Sequence, residues 1–250
     1  MALVRRGGQR VPLLHPPTLA NVASANASGP PHANRPRDVD ALRLGRQAVL
    51  IPVKAFDQAK GRLGPALSRP ARAALAQAMA DRVLAAADPL PVAVVCDDND
   101  VAAWARSRGA LVIWEPGRGL NGAVEAGVDR LRNGGVDQVT VCHADLPRAT
   151  SLASVGDLPG ITLVPDRFGN GTNVVVVPTD AGFRFSYGPG SFARHLAEGK
   201  RSGLAVHVLE RPDLAWDVDE PDDLVPLDDV LVGGDVVLAT TVVTGEGVQP

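Results

Sequence analysis

From Gln47 onward, short runs of β-branched and aliphatic residues alternate with longer stretches in which apolar residues recur at helical spacing. AVLIPV, VAVVC, ALVIW and QVTVC read as strands, continuous apolar runs of the kind buried on both faces of a sheet. Between them the spacing predicts helices near residues 69–87, 99–108 and 120–132. In the first, Leu75, Met79 and Val83 recur every four residues, Ser68 stands at the cap position and Pro70 is tolerated in the first turn. In the third, Leu120, Val124, Val128 and Leu131 form the stripe, and Gly134 and Gly135 end it. Strand and helix in this alternation imply βαβ units and a mostly parallel sheet. After Leu146 the rhythm loosens. ITLV, VVVV and AVHVL read as strands and residues 192–199 as a short helix, so an inserted or antiparallel portion is expected there.

The flanks differ in character. Residues 1–46 are rich in Pro, Gly, Asn, Ser and Arg and show no sustained period, which reads as a disordered extension. The end of the chain holds DVLVGGDVVLATTVV, two apolar runs around Gly-Gly that suggest a hairpin. The expected organisation is therefore an extension over 1–46, one α/β domain over 47–225 and a tail of no assigned role over 226–250.

Composition narrows the functional classes. With 250 residues, 45% hydrophobic and 21% charged, the chain can bury a sizeable core. A net charge of −3 and only nine aromatic residues argue against nucleic-acid partners, which need a positive field or stacking rings. No run of 18 apolar residues supports a membrane span, and the amino terminus lacks an unbroken apolar core for a signal peptide. Cys96 and Cys142 form neither a disulfide framework nor a metal-binding pair, so a reducing cytoplasm is the expected compartment. Among 25 basic residues only three are lysines, so each lysine stands out.

In open parallel sheets ligands gather beyond the carboxyl ends of the strands. The loop after the first strand, IPVKAFDQAKGRLG, places Lys54, Lys60 and Arg62 together, cations suited to phosphate groups, although a solvated loop reads equally well. Neither a P-loop nor a dinucleotide fingerprint is present. Past the fourth strand, CHADLP sets Asp145 where a magnesium ion could share it with substrate phosphates. Nearby His143 reads as ligand or as structure. In WDVDEPDDL, Asp217 and Asp219 alternate along an extended segment and can point to one side, while Asp222 and Asp223 fit the acidic first turn of a helix begun at Pro221. Two glycine-bearing segments are further candidates for anions. PDRFGNGTN offers backbone N–H groups and Thr172, and SYGPGSFARH offers Gly188, Gly190 and the helix start at Ser191. Arg194 and His195 then face either ligand or solvent.

Taken in order, IPVK with AKGRL, EPGRGLNGAVEAG, HADLP, PDRFGNGTN, YGPGSFARH and DVDEPDDL resemble the CofC/FbiD family of phospho-acid guanylyltransferases, over residues 48–224. The resemblance implies a single-domain nucleotidyltransferase of glycosyltransferase-A-like, Rossmann-related α/β fold. Such enzymes join GMP from GTP to phosphoenolpyruvate or 2-phospho-L-lactate in coenzyme F420 biosynthesis and release pyrophosphate. By this similarity Asp145 and Asp219 hold magnesium, and Thr172, Gly188 and Ser191 bind the phospho-acid. Lys54, Lys60 and Arg62 meet the GTP phosphates as the catalytic cations, with Asn121 and Gly122 near the nucleotide. Asp97 and Asp98 are candidates for guanine contact, or simply a helix start. GTP and a phospho-acid are the implied small-molecule partners, and the reactive product allows hand-off to the next transferase of the pathway. Phosphoenolpyruvate is the favoured acceptor. A nucleotidyltransferase acting on a molybdopterin, sugar phosphate or polyol phosphate, and a catalytically silent nucleotide-binding module, are the competing readings.

Overall fold

The computed structural model describes residues 44–224, and the hairpin expected in the tail lies outside the described residues. Seven strands form one sheet. They are β1 (Gln47–Pro52), β2 (Val92–Cys96), β3 (Leu111–Trp114), β4 (Gln138–Cys142), β5 (Ile161–Pro165), β6 (Thr172–Pro178) and β7 (Val206–Val208), in the order β3-β2-β1-β4-β6-β5-β7. Strands β3, β2, β1 and β4 run parallel, and β6 is antiparallel to both of its neighbours, β4 and β5. This is the antiparallel portion expected where the rhythm loosened after Leu146.

The helices follow the sequence pattern closely. Helix α1 spans Arg69–Ala86, with Ser68 Oγ accepting the Ala71 N–H at 3.4 Å, and it buries Leu75, Met79 and Val83. Helix α2 spans Asn99–Ser107. Its cap is Asp98, whose Oδ1 accepts the N–H groups of Asp100 and Val101, so Asp98 serves as a helix start. Helix α3 (Gly119–Asn133) buries Val124, Val128 and Leu131 and lies so close to β1 that a Cβ on Gly127 would stand 2.7 Å from Leu50 Cδ2. Helix α4 (Ser191–Arg201) and the single turn α5 (Pro212–Ala215) complete the set. The last of these carries no legible period, being too short to show one.

Alternate residues of β1 feed opposite faces of the sheet: Val49 and Ile51 join one core, Ala48 and Leu50 the other. At about 25 cal/mol per Å² of apolar area removed from water, these two layers carry most of the stabilisation. A third, smaller cluster matters more for function. Leu63 from the loop after β1 packs with Leu75 and Met79 of α1 and with Val218, each fully buried. Val218 lies between Asp217 and Asp219, so this contact brings the basic loop and the acidic segment, 155 residues apart in sequence between Leu63 and Val218, to one place. No helix among the described residues is long and apolar enough to cross a membrane.

Candidate active site

β1 and β4 are adjacent and parallel, so the loops leaving their carboxyl ends meet over the sheet. A cavity of about 570 Å³ opens there. Lys54, Lys60 and Arg62 line it from the first loop, Asp145 and His143 from the end of β4, and Asp219 from the acidic segment. Residues that the sequence places in three separate segments therefore share one wall.

Lys60 is the centre of the arrangement. Its backbone adopts φ 56° and ψ 41°, the left-handed region, and it is the one non-glycine residue with positive φ among the described residues. For a residue with a Cβ this conformation costs about 1 kcal/mol. The side chain that results is 10% exposed and reaches both carboxylates, with Nζ 2.5 Å from Asp145 Oδ2 and 3.1 Å from Asp219 Oδ1. Burial works against the Lys60 ammonium, but Asp145 and Asp219 outweigh it and raise its pKa above the ordinary value. Burial likewise opposes the Asp145 carboxylate, and Lys60, with His143, still holds its pKa below the usual range. Asp217 behaves differently: burial first, then the charges of Asp145 and Asp219, push its pKa up. Arg62 is exposed and reaches Glu220 at 3.2 Å and Asp219 at 3.8 Å. Lys54 is exposed on the rim.

The donor set suits a hard cation. Asp145 Oδ1 is buried and has no hydrogen-bond partner, a carboxylate oxygen left over after Lys60 takes its twin. Asp219 lies 48% exposed with its Oδ2 toward Arg62. No group of three or more His, Cys, Asp or Glu among the described residues surrounds one point. A magnesium ion that takes most of its ligands from phosphates and water needs only one or two such carboxylates.

The opposite wall is built otherwise. Gly188, at φ 114°, lines the cavity. Thr172 and Ser191 do not: each is 2% exposed. His195 Nε2 accepts the Ser186 N–H at 2.9 Å, so its Nδ1 carries the proton and donates to Thr172 Oγ1 at 3.1 Å. Burial foremost, with the positive charge of Arg194, lowers the His195 pKa to about 4 and keeps the ring neutral. His195 therefore faces neither ligand nor solvent. Arg194 folds back onto the carbonyls of Ser186, Gly188 and Pro189 and braces the loop. Asn121 Oδ1 accepts the Tyr187 N–H at 2.7 Å and ties the start of α3 to the same loop, while a Cβ on Gly122 would stand 3.2 Å from Arg118 Cβ. Neither lines the cavity. Asp97 is exposed beside the α2 cap.

The expectation that PDRFGNGTN presents free N–H groups to an anion is corrected by the structure. Asp166 Oδ1 accepts from Phe168 and Asn170, and Asp166 Oδ2 from Gly171 at 2.7 Å, so the loop already encloses an anion of its own. A carboxylate that opens such a loop fills its nest, and the D at the start of DRFGNG was the signal. Sequence reasoning also gave no role to Arg167, whose guanidinium contacts the Asp217 carbonyl and the Asp223 carboxylate.

The fold is a parallel sheet with one antiparallel strand, and its cavity sets cations against carboxylates beyond β1 and β4. The chain belongs to the family of CofC-like guanylyl transferases, which it matches over residues 47–239. That match runs past the boundary expected at residue 225. Among its relatives, the phosphoenolpyruvate guanylyltransferase of Rubrobacter xylanophilus is 38% identical over 188 residues, covering 72% of this chain and 92% of the relative. A 2-phospho-L-lactate guanylyltransferase of Methanothermobacter thermautotrophicus is 32% identical, covering 72% and 82%. In fold, a nucleotidyl transferase from Methanothermobacter superposes with a TM-score of 0.51 at 16% identity, over 75% of this chain and 98% of that one.

Proposed function

We propose that this protein transfers GMP from GTP to phosphoenolpyruvate and releases pyrophosphate, as a step of coenzyme F420 biosynthesis in the cytoplasm. The observation that supports the site is Lys60 held between Asp145 and Asp219 on the cavity wall. The acceptor follows the names of relatives such as those of Rubrobacter xylanophilus and Sphaerobacter thermophilus, both phosphoenolpyruvate guanylyltransferases, at 38% and 36% identity. The catalytic unit is the domain from residue 47 onward.

In this reading a phosphate oxygen of the acceptor forms the new bond to the α-phosphorus of GTP, and the bond from that phosphorus to the oxygen of the β-phosphate breaks. The acceptor is already an anion, so no general base is required. The work falls on charge and position. Lys60, Arg62 and Lys54 offset the charge of the triphosphate. Asp145 and Asp219 would hold a magnesium ion, which would supply positive charge to offset that of the phosphates. Gly188 lets backbone approach the acceptor closely on the other wall. Thr172, Ser191 and Asn121 contribute by fixing that wall rather than by side-chain contact with the ligands.

The test is turnover with GTP and either phosphoenolpyruvate or 2-phospho-L-lactate, with pyrophosphate release followed and the product identified by mass. Formation of the guanylylated phosphoenolpyruvate supports the reading. Preference for 2-phospho-L-lactate overturns the acceptor only, and turnover of CTP or ATP with a sugar phosphate while GTP is inert overturns the reading as a whole.

A further inference from the structure

Asp219 sits in a segment without helix or ladder, residues 216–220, between α5 and the one-turn 3-10 helix Pro221–Asp223. Such a segment has no regular hydrogen bonds to fix its direction, yet its carboxylate must meet Lys60. Val218 anchors it by packing on Leu63 and by donating its N–H to the Asp145 carbonyl at 3.3 Å, and a relay that begins in the β5–β6 loop adds a second hold next to Asp219. Arg167 donates its backbone N–H to the Ala215 carbonyl and Nη1 to the Asp217 carbonyl, both at 2.8 Å. Its Nη2 pairs with Asp223 Oδ1. Asp223 Oδ2 then accepts the backbone N–H groups of Asp219 and Glu220, each at 2.8 Å. The guanidinium is itself held in place, 4.3 Å above the Trp216 ring and 4.4 Å from that of Phe168.

Asp222 and Asp223 look equivalent in sequence, as two acids in a first turn. In the fold Asp222 is exposed, whereas Asp223 is buried with both oxygens engaged. A helix cap alone needs one oxygen and no cation. The ion pair with Arg167 aims the other oxygen, and of the two amides it receives one belongs to the cap residue Glu220 and one to Asp219 itself.

We propose that Asp223 and Arg167 are positioning residues for Asp219: they set the direction of its carboxylate and so the site's affinity for a divalent cation in the presence of nucleotide. This rests on the reading of Asp145 and Asp219 as the carboxylates that take the ion. Groups that orient a ligating carboxylate typically change metal affinity about 10–100-fold when removed.

The test compares D223N, R167Q, the charge-balanced R167Q/D223N, D222N and D219N with the unaltered chain. Manganese is titrated with a non-hydrolysable GTP analogue present and free metal is followed by electron paramagnetic resonance. Thermal melts are recorded in parallel, and the magnesium dependence of turnover is measured. For D223N and R167Q the expected result is manganese affinity weakened about tenfold. The magnesium concentration for half-maximal rate rises to match, and kcat at saturating magnesium stays near that of the unaltered chain. D222N behaves as the unaltered chain. A purely structural role lowers the melting temperature without moving metal affinity. The double variant, which leaves no lone buried charge, carries the measurement should either single variant be poorly folded. If D219N weakens manganese binding and neither D223N nor the double variant does, the positioning role is wrong and the site reading stands. If D219N itself binds manganese as the unaltered chain does, the site reading fails and takes the positioning role with it.

Discussion

On the β1 side of the cavity, charged side chains meet one another directly: Lys60 touches two carboxylates and Arg62 reaches a third, Glu220. On the β6 side, polar groups face inward. Thr172 meets His195, His195 meets the Ser186 amide, Arg194 covers loop carbonyls and Asp166 fills its own turn. The first wall has paired charges and one buried carboxylate oxygen, Asp145 Oδ1, left for a ligand to complete, whereas the second turns its hydrogen bonds inward. A site that joins two anions needs both, since charge must be offset and geometry must not relax as the phosphates approach.

Four changes separate the walls, and the largest belongs to the charged one. Asp145→Ala removes the carboxylate that Lys60 and a cation share, and turnover is expected to fall by about 10²–10³, the scale for losing one preorganised electrostatic partner. Steady-state pyrophosphate release measures it, with circular dichroism to show that the fold persists. Near-normal turnover would remove Asp145 from the site and erase the contrast.

Next comes pH, acting on the rigid wall. The His195 pKa is about 4 in the fold against 6.5 as the ordinary value. The unfolded chain therefore binds a proton that the folded chain refuses between those values, so stability is full above about pH 6.5 and declines as the pH falls toward 4. The loss amounts to about 3 kcal/mol for this group. Urea unfolding across this range should show the slope, and His195→Gln should flatten it. An unchanged slope in that variant would mean that another group is responsible.

Thr172→Val is a smaller step on the same wall. It deletes the acceptor of the His195 Nδ1–H and leaves a buried donor unpaired, at a cost of about 1–3 kcal/mol in stability. The KM for the acceptor should move little, because the hydroxyl does not line the cavity. A large KM change with unchanged stability would put Thr172 in direct contact with substrate. Arg62→Ala is expected to be mildest. The side chain is 69% exposed and its ion pairs are screened, so a loss of about tenfold or less in kcat/KM is expected, shrinking further as salt is added.

How much of this was legible beforehand differs between the walls for a physical reason. The strands and helices of the parallel half follow from periodicity, because a strand buried on both faces and an amphipathic helix each impose a repeat on the sequence. Ser68 and the stripe of Leu75, Met79 and Val83 sit as that repeat predicts. Lys54, Lys60, Arg62, Asp145 and Asp219 were legible as residue types placed after strands. The inward turn of Thr172, Ser191 and His195 was not, because a hydroxyl beside a glycine looks the same whether it faces a ligand or a buried imidazole. Asp166, at the head of DRFGNG, was by contrast a legible signal for a loop whose three amides are already taken.

The sequence by itself determined the alternation of strand and helix, the family, and the chemical inventory of cations and carboxylates, since these depend on local spacing and on side-chain type. Only the tertiary structure decided which of those groups meet. Val218 packing against Leu63 draws Asp219 to Lys60, and the left-handed backbone of Lys60 turns its ammonium onto Asp145. Arg167 then holds the acidic segment through Asp223. These contacts join residues far apart in the chain, and no local pattern encodes them, because they arise from apolar burial elsewhere in the fold bringing the charges together.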